Sequence, residues 1–137
     1  MTEKDYTLED LQEIVSELRG EHGCPWDKAQ THSSMKEYMM NEAKEAVEGI
    51  ELYEQTGEAD NLCEELGDVL FQVVFHSQLA KEAGTFTMDD VIASICKKMI
   101  RRHPHVFGEQ KGEQPLSWEE LKKQERYLKS LEKENGK

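Results

Sequence analysis

Apolar residues recur along the chain at helical spacing, and no segment alternates between apolar and polar positions as a strand would. In the first such segment, Leu8, Leu11 and Leu18 lie on one face, Thr7 with Asp10 resembles a capping box, and glycine follows. Similar start and stop signals predict four more helices: from Ser34, with Glu37 as a second capping box, to Gly57; from Asp60 to Gly84; from Thr87 to Pro104; and from Ser117 onward.

The predicted fold is therefore an all-α bundle of four or five helices. We expect one domain over residues 1–137, with a core from about 7 to 131 and a frayed tail over 132–137. The stretches 20–31 and 108–116 are expected to be loops. Leu, Ile, Val and Phe supply only 28 of 137 residues, so we expect dimerisation to complete a thin core.

The charge balance excludes several classes of partner. With 17 Lys and Arg against 29 Asp and Glu, the formal net charge is −12. So acidic a chain is poorly suited to coating nucleic acid or an anionic membrane. The longest apolar run is too short for a membrane span, and the first residues do not form a secretory leader. Three widely spaced cysteines are typical of reduced thiols, so we expect a cytoplasmic protein.

The second predicted helix carries a pair of acids beside its apolar stripe. The stripe is expected to face the core and comprises Met35, Met39, Ala43, Ala46, Ile50 and Tyr53. Glu42 and Glu45 lie at its border, whereas Glu48 lies on the far side. Because Glu42 and Glu45 are three residues apart, both side chains leave the same face and can converge on one point.

The third predicted helix is apolar nearly all round, which is typical of a buried helix. One polar strip runs through it: Glu65, Asp68, Gln72 and His76. A buried carboxylate needs a partner, and the acids of the preceding helix carry the same charge. A cation is therefore expected between the two pairs. Oxygen ligands favour Mg²⁺ first and Mn²⁺ second, and the absence of Glu-x-x-His argues against a di-iron centre.

A basic cluster stands out against this acidic background. Lys98 and Arg102 share a helix face, and phosphate is the ligand that Mg²⁺ and arginine neutralise together. A polyphosphate ester is thus the expected substrate. Stacking and hydrogen bonds to a base are expected from two further groups of residues: Trp26 with Asp27 and Gln30, and Trp118 with Lys122.

These motifs closely resemble those of the MazG-type nucleoside triphosphate pyrophosphohydrolases, members of the all-α NTP pyrophosphatase superfamily. The resemblance runs from about residue 18 to 126. It rests on G-C-P-W-D-x-x-Q-T at 23–31, E-x-x-E at 42–45, E-L-G-D at 65–68, R-R-H-P-H-V-F at 101–107 and W-E-x-x-K at 118–122. The paired acids mark the superfamily, and the other three motifs narrow it to MazG.

The resemblance implies an assignment for each group. It implies that Glu42, Glu45, Glu65 and Asp68 hold Mg²⁺, that Lys98 and Arg102 contact the triphosphate, and that Trp118 lies near the nucleotide. It also implies a homodimer, or a higher oligomer, that cleaves an NTP to NMP and pyrophosphate. Family members commonly carry Glu immediately before the first E-x-x-E, and Asn41 stands there in this chain. We therefore include Asn41 among the substrate-binding candidates.

The resulting hypothesis is hydrolysis at the α-phosphorus, for the removal of non-standard or surplus nucleotides. Glu42 or Glu45 is the candidate to orient or deprotonate the attacking water, and Lys98 and Arg102 would stabilise the departing group. Two alternatives stay open. One is a helical module that binds nucleotide or metal and dimerises without turnover. Asn41 favours this alternative, because it stands where family members commonly carry an acid. The other is a narrow-specificity dUTP or dCTP pyrophosphatase.

Overall fold

The computed structural model describes residues 5–108 and 115–135, and no strand occurs within these two stretches. Their helices, in chain order, are α1 (Leu8–Leu18), α2 (Pro25–Ala29), α3 (Lys36–Thr56), α4 (Asp60–Glu82), α5 (Met88–Arg102), α6 (Pro104–Phe107) and α7 (Trp118–Asn135). The predicted all-α class is confirmed. In the same two stretches, no helix combines the length and apolarity needed to cross a lipid bilayer.

The five long helices lie where the sequence predicts them. Thr7 and Asp10 form the expected reciprocal capping box at α1, and Ser117 forms the same arrangement with Glu120 at α7. The helix α3 ends at Gly57 in the left-handed conformation, with φ of 77°. Capping boxes therefore place the starts of α1 and α7, and glycine places the end of α3. Asp60 does not cap α4: it is the first residue of that helix, and Ala59, which has no capping side chain, precedes it.

The capping box predicted for Ser34 and Glu37 is wrong. The residue that precedes α3 is Met35, and no side chain caps this helix. The Ser34 hydroxyl instead donates to the side chain of Gln30 at 2.7 Å and to the backbone carbonyl of Thr31 at 3.1 Å. Ser34 is thus used by the turn before the helix, because short polar side chains satisfy turns as readily as helix ends.

Two short helices, α2 and α6, lie in stretches that were predicted without helical structure. Each begins with proline, Pro25 and Pro104 respectively. Proline suits the first helical position because its missing N–H would have no partner there and its φ is already helical. Pro104 therefore ends α5 and starts a new helical turn. Most of the other predicted loop, 108–116, lies outside the described residues.

The chain divides into two compact units, Met1–Met88 and Asp89–Lys137. One domain with a core over about 7–131 stays a prediction. The helix α7 continues to Asn135, beyond the predicted end of that core, and residues 136 and 137 lie outside the described part of the chain.

In the first unit, α4 packs against both α3 and α1. Its C-terminal half is buried, with Phe75 fully covered. The N-terminal half is not: Leu66 is 52% exposed and Leu70 41%. The expectation that α4 is buried all round therefore holds for most of its second half only.

The α3 stripe is also less buried than predicted. Met35 and Ala46 are in the core, but Met39, Ile50 and Tyr53 are between 38% and 47% exposed. The buried positions in the middle of α3 are Ala46, which belongs to the stripe, and Gly49, which does not. Small residues allow two helix backbones to approach closely, as they do at Gly49.

Gly49 lies where α3 and α4 approach each other closely. A Cβ atom added there would lie 3.3 Å from the Leu62 Cα, 3.4 Å from the Asn61 side-chain Nδ2 and 3.7 Å from the Glu65 Cγ. No atom would lie within 4 Å of a Cβ added at Gly67, also in α4. The first glycine is required by packing, whereas this chain shows no such requirement at the second.

We predict opposite effects for alanine at these two glycines. Gly67→Ala should raise the free energy of unfolding by about 0.5–1 kcal/mol, because alanine is the better helix former. Gly49→Ala should lose this gain, since α3 must move away from α4, and should lie at least about 1 kcal/mol below Gly67→Ala. Urea unfolding measures both values, and an equal gain at the two positions would contradict the close approach.

Candidate metal centre

Four carboxylates from α3 and α4 converge in the first unit. Gly49 lies beside Leu62, and the earlier α3 residues Glu42 and Glu45 lie beside Glu65 and Asp68, so the two helices run antiparallel. One ligand oxygen from each of the four carboxylates lies within 4.8 Å of the others. The structure thus brings together all four residues that the sequence nominates as metal ligands.

The four carboxylates differ in exposure. Glu45 and Asp68 are exposed, whereas Glu42 and Glu65 are half-buried. The Oε2 atoms of Glu42 and Glu65 are shielded from solvent and have no hydrogen-bond partner within the described residues. A buried carboxylate oxygen without a partner is costly, so both atoms indicate a missing positively charged group.

The pKa values of two carboxyls in this cluster also indicate uncompensated negative charge. Burial raises the pKa of Glu42 above 4.5, and the negative charges of Glu45 and Asp68 raise it further. Burial also raises the pKa of Glu65, followed by the charge of Glu45 and a hydrogen bond with it. Like charges at short range penalise ionisation, as does desolvation.

The donor set fits a hard divalent cation. All four ligands are carboxylates, and within the described residues no His or Cys joins the cluster. Mg²⁺ and Mn²⁺ prefer such oxygen donors. A divalent ion would neutralise the like charges and give the two shielded Oε2 atoms a partner. Glu42, Glu45, Glu65 and Asp68 therefore form the candidate metal centre.

The polar strip of α4 continues beyond the carboxylates. Gln72 is 4% exposed, and its Oε1 has no hydrogen-bond partner in the described structure. His76, one turn further, contacts His32 from the turn before α3. The sequence nominates His76 as part of the strip but gives no signal for its partner, because the contact joins residues 44 positions apart.

The residues nominated around Trp26 form a short segment centred on α2. Trp26 is 49% exposed and meets Tyr38 edge-on, with 5.7 Å between ring centroids. The Gln30 side chain donates to the Trp26 carbonyl at 2.9 Å and accepts from Ser34. Gln30 thus ties the segment to itself, and Asp27 is buried at 9% exposure. Trp26 is the member that presents a large surface to solvent.

Asn41 is exposed on α3 immediately before Glu42. It therefore lies at the edge of the carboxylate cluster, and the cluster does not include it.

The second unit holds the remaining candidates, on α5 and α7. Arg102 donates from Nε and Nη2 to the two carboxylate oxygens of Glu125, and Arg101 lies 3.3 Å from the same carboxylate. These arginines hold the pKa of Glu125 at about 2, chiefly through the Arg102 hydrogen bond. Glu125 was missed by sequence reasoning, because an acidic chain offers many possible partners for each arginine.

Trp118 is flanked by two cations. The Arg102 guanidinium carbon and the Lys122 Nζ each lie 5.0 Å from its ring centroid. These are cation–π distances. Lys98 lines a cavity of about 310 Å³ together with Arg101 and Lys129. Within this unit, the structure joins Arg102, Trp118 and Lys122 in one cluster, as the sequence analysis expected for Trp118 and Lys122.

This chain is similar in sequence to a family of known proteins. The profile of the MazG nucleotide pyrophosphohydrolase domain matches residues 30–107. The chain is 47% identical over 126 residues to the nucleoside triphosphate pyrophosphohydrolase/pyrophosphatase MazG of Thermotoga maritima, covering 92% of this chain and 48% of that protein. It is 41% identical over 128 residues to the nucleoside triphosphate pyrophosphohydrolase of Escherichia coli K12, covering 90% and 47%.

A third relative, the uncharacterized protein YabN of Bacillus subtilis, is 48% identical over 120 residues, which are 85% of this chain and 24% of that protein. The chain thus spans about half the length of the first two relatives and about a quarter of the third.

We predict that removal of one carboxylate separates metal affinity from stability. Glu65→Gln should weaken Mn²⁺ and Mg²⁺ binding at least tenfold in calorimetric titrations, because it replaces a shielded anionic ligand. In EDTA the same variant should be more stable than the parent chain at pH 7, since a like charge is removed. Glu64→Gln, an exposed neighbour on α4, is the matched control and should change neither property.

The raised pKa values also fix a pH dependence. A carboxyl whose pKa is higher in the folded state binds more protons there, so the contribution of Glu42 and Glu65 to the stability of the metal-free chain should rise as pH falls toward that pKa. Protons compete with the cation, so metal affinity should fall over the same range. Thermal unfolding from pH 8 to 5, with EDTA or Mg²⁺, measures both trends. Metal affinity that is unchanged over this range would contradict the assignment.

Proposed function

The chain belongs to the MazG family of nucleotide pyrophosphohydrolases, and from this premise we propose that it hydrolyses nucleoside triphosphates to a nucleoside monophosphate and pyrophosphate with Mg²⁺ as cofactor. The proposal extends to this chain the activity that the names of its relatives state. The chain itself spans only about half the length of the first two relatives. The observation that carries it is the convergence of four carboxylates, two of which have a shielded oxygen without a partner among the described residues.

The metal centre would be held by Glu42, Glu45, Glu65 and Asp68. A divalent cation bound there supplies Lewis-acid stabilisation of phosphate charge and activates water near neutral pH. Mn²⁺ is the expected substitute, because it accepts the same oxygen ligands.

The two α3 carboxylates have the chemistry for the remaining step. Both are carboxylates beside the proposed metal, and Glu45 is exposed, so a water molecule can reach it. In the proposed reaction, one of them orients or deprotonates the water that attacks the α-phosphorus. The bond from the α-phosphorus to the bridging oxygen breaks, and pyrophosphate leaves with that oxygen.

Cationic residues of the second unit are proposed to contact the triphosphate. The resemblance to the family implies this role for Lys98 and Arg102. It also implies that Trp118 lies near the nucleotide, and we propose the same for Lys122. Arg102 is already held by Glu125 and lies over Trp118, so its guanidinium has a fixed orientation. Trp26, Asp27, Gln30 and Asn41 stay proposed substrate-side residues, and of the first three Trp26 has the most exposed surface.

The proposed physiological role is the removal of non-standard or surplus nucleotides. We place this work in the cytoplasm, where nucleotide pools and reduced thiols coincide. The three cysteines Cys24, Cys63 and Cys96 carry free thiols in the structure.

A second candidate is a module that binds nucleotide or metal without turnover. Asn41 favours it, because an acid commonly stands at this position in the family and Asn41 lies exposed directly beside Glu42. This candidate predicts metal-dependent nucleotide binding with no release of pyrophosphate.

We expect Glu45→Gln and Asp68→Asn each to lower Mg²⁺-dependent pyrophosphate release at least about 100-fold, since each removes a ligand or a base. Glu48→Gln, on the far side of α3, should retain parental activity. The assay uses the eight common NTPs and dNTPs and detects pyrophosphate and orthophosphate separately. Activity confined to dUTP or dCTP would indicate a narrow-specificity enzyme. Orthophosphate as the first product would contradict attack at the α-phosphorus.

We also propose a homodimer, formed through the exposed apolar face of α3 and α4. Its large side chains are between 38% and 75% exposed: Met39, Met40, Val47, Ile50, Tyr53, Leu66 and Leu70. Apolar side chains clustered on the surface of two adjacent helices are typical of an interface. A second copy that places the same face opposite would cover both.

Single charges on this face should separate the dimer. Val47→Glu and Leu70→Glu should each shift the mass in light scattering after size-exclusion chromatography from two chains to one, because a buried unpaired charge is costly. Ile14→Glu, at a comparably exposed position on α1, should remain dimeric. Dimers that persist in both α3 and α4 variants would place the interface elsewhere.

A further inference from the structure

His32 and His76 meet with an unusual geometry. Their Nδ1 atoms lie 2.7 Å apart, and the two ring planes are within 10° of parallel. At this distance a single proton fits between the nitrogens, donated by one ring and accepted by the other. If both Nδ1 atoms carried a proton, two N–H groups would point at each other.

The surroundings of the rings differ and favour one arrangement of the protons. His32 is exposed, whereas the Nε2 of His76 is shielded from solvent and has no partner within the described residues. A buried N–H without an acceptor is rarer than a buried lone pair without a donor. His76 is therefore the Nδ1–H donor, and His32 accepts while its Nε2–H faces water.

This contact fastens the segment that carries Trp26 to α4. His32 directly follows the turn at Gln30 and Thr31, and the Gln30 side chain donates a hydrogen bond to the Trp26 carbonyl. On the α4 side, His76 lies eight residues beyond Asp68, or about 12 Å along the helix. The histidine pair thus joins the Trp26 segment to the helix that carries half of the metal centre.

The segment has a second attachment that does not depend on histidine. Arg19, at the end of α1, makes a bidentate ion pair with Glu82 of α4 at 2.9 Å and donates to the backbone carbonyls of Asp27 and Gln30. The Arg19 hydrogen bond lowers the pKa of Glu82 below 4.5. This attachment therefore keeps its charges throughout the range in which histidines titrate, and only the histidine contact is sensitive there.

We propose that His32 and His76 are positioning residues: a clasp with one shared proton holds the Trp26 segment against α4, and protonation of the pair opens it. A proton on the His32 Nδ1 replaces the acceptor by a donor and breaks the hydrogen bond. The His76 Nε2 is shielded and has no acceptor for a charged N–H within the described residues, so the exposed His32 ring takes the added proton. Protonation therefore releases the His32 side into solvent.

The ionisable groups around the pair are consistent with loss of the clasp at low pH. The helices that pack on α4 or flank His32 in sequence carry these ionisable groups nearby in sequence: Arg19 at the end of α1, Asp27 and Lys28 on α2, Lys36 and Glu37 in the first turn of α3, and Lys81 and Glu82 on α4. The pKa of His76 is nonetheless lowered by two causes only, burial and then the His32 ring. A lowered pKa means that the clasped state binds fewer protons than the open one, so its stability is lost as pH falls below about 6.5.

Trp26 fluorescence tests the clasp without substrate. The chain has two tryptophans, so Trp118→Phe leaves Trp26 as the sole reporter. In EDTA, we expect its emission to change in one transition with a midpoint below about 6.5. His32→Asn should abolish that transition and keep the high-pH emission, because the Asn oxygen can accept from His76 and does not titrate. His32→Ala should give the acid form at every pH, and His22→Asn, at an exposed histidine, should behave as the parent.

Nitrogen NMR of the histidine rings provides a test on the unmutated chain. We expect the Nδ1–H tautomer for His76 and the Nε2–H tautomer for His32 at pH 8. Two rings that both carry Nε2–H, or an acid transition that survives in His32→Asn, would overturn the proposal. The latter outcome would assign the transition to the carboxylates, which that variant retains.

The consequence for substrate rests on the proposed function, whereas the two tests above do not. If hydrolysis holds, KM should rise as pH falls through the transition in the parent and stay constant in His32→Asn, beyond any change in kcat common to both. An intact clasp in an inactive chain would count against the proposed function alone.

Discussion

Four like-charged carboxylates held within 4.8 Å of one another are the constraint on which the first unit depends. Their mutual repulsion and partial burial oppose folding, as the raised pKa values of Glu42 and Glu65 show. The arrangement persists because α3 and α4 pack closely at Gly49, one turn from Glu45. A divalent cation would convert this repulsion into ligation, so metal binding would also strengthen the contact between the two helices.

The two units handle their charges in different ways. In the second unit, Arg101 and Arg102 neutralise Glu125 within the protein, and the pKa of that carboxyl falls to about 2. In the first, Arg19 does the same for Glu82. The carboxylate cluster differs, because the charges that shift the pKa values of Glu42 and Glu65 are those of its own members. Part of the net charge of −12 is thus concentrated where it can meet a cation.

Much of this site could be predicted from sequence because it depends on helical periodicity. Two acids three residues apart share a face whatever the tertiary structure, and a polar strip in an apolar helix must meet a partner. The failures have physical causes as well. Ser34 serves a turn instead of a helix end, and the stripe through Met39 and Ile50 is partly exposed because helical periodicity identifies an apolar face without identifying what covers it. Contacts such as His32 with His76 join distant positions and leave no periodic signal.

The claim that the carboxylate cluster is a divalent metal centre is tested most directly by anomalous diffraction from crystals grown with Mn²⁺. We expect a strong anomalous peak within about 2.3 Å of oxygens from both helices, contributed by Glu42 or Glu45 and by Glu65 or Asp68. The contradicting result is the absence of a peak at saturating Mn²⁺ while the four carboxylates keep their convergence, or their neutralisation by a lysine or arginine of the protein.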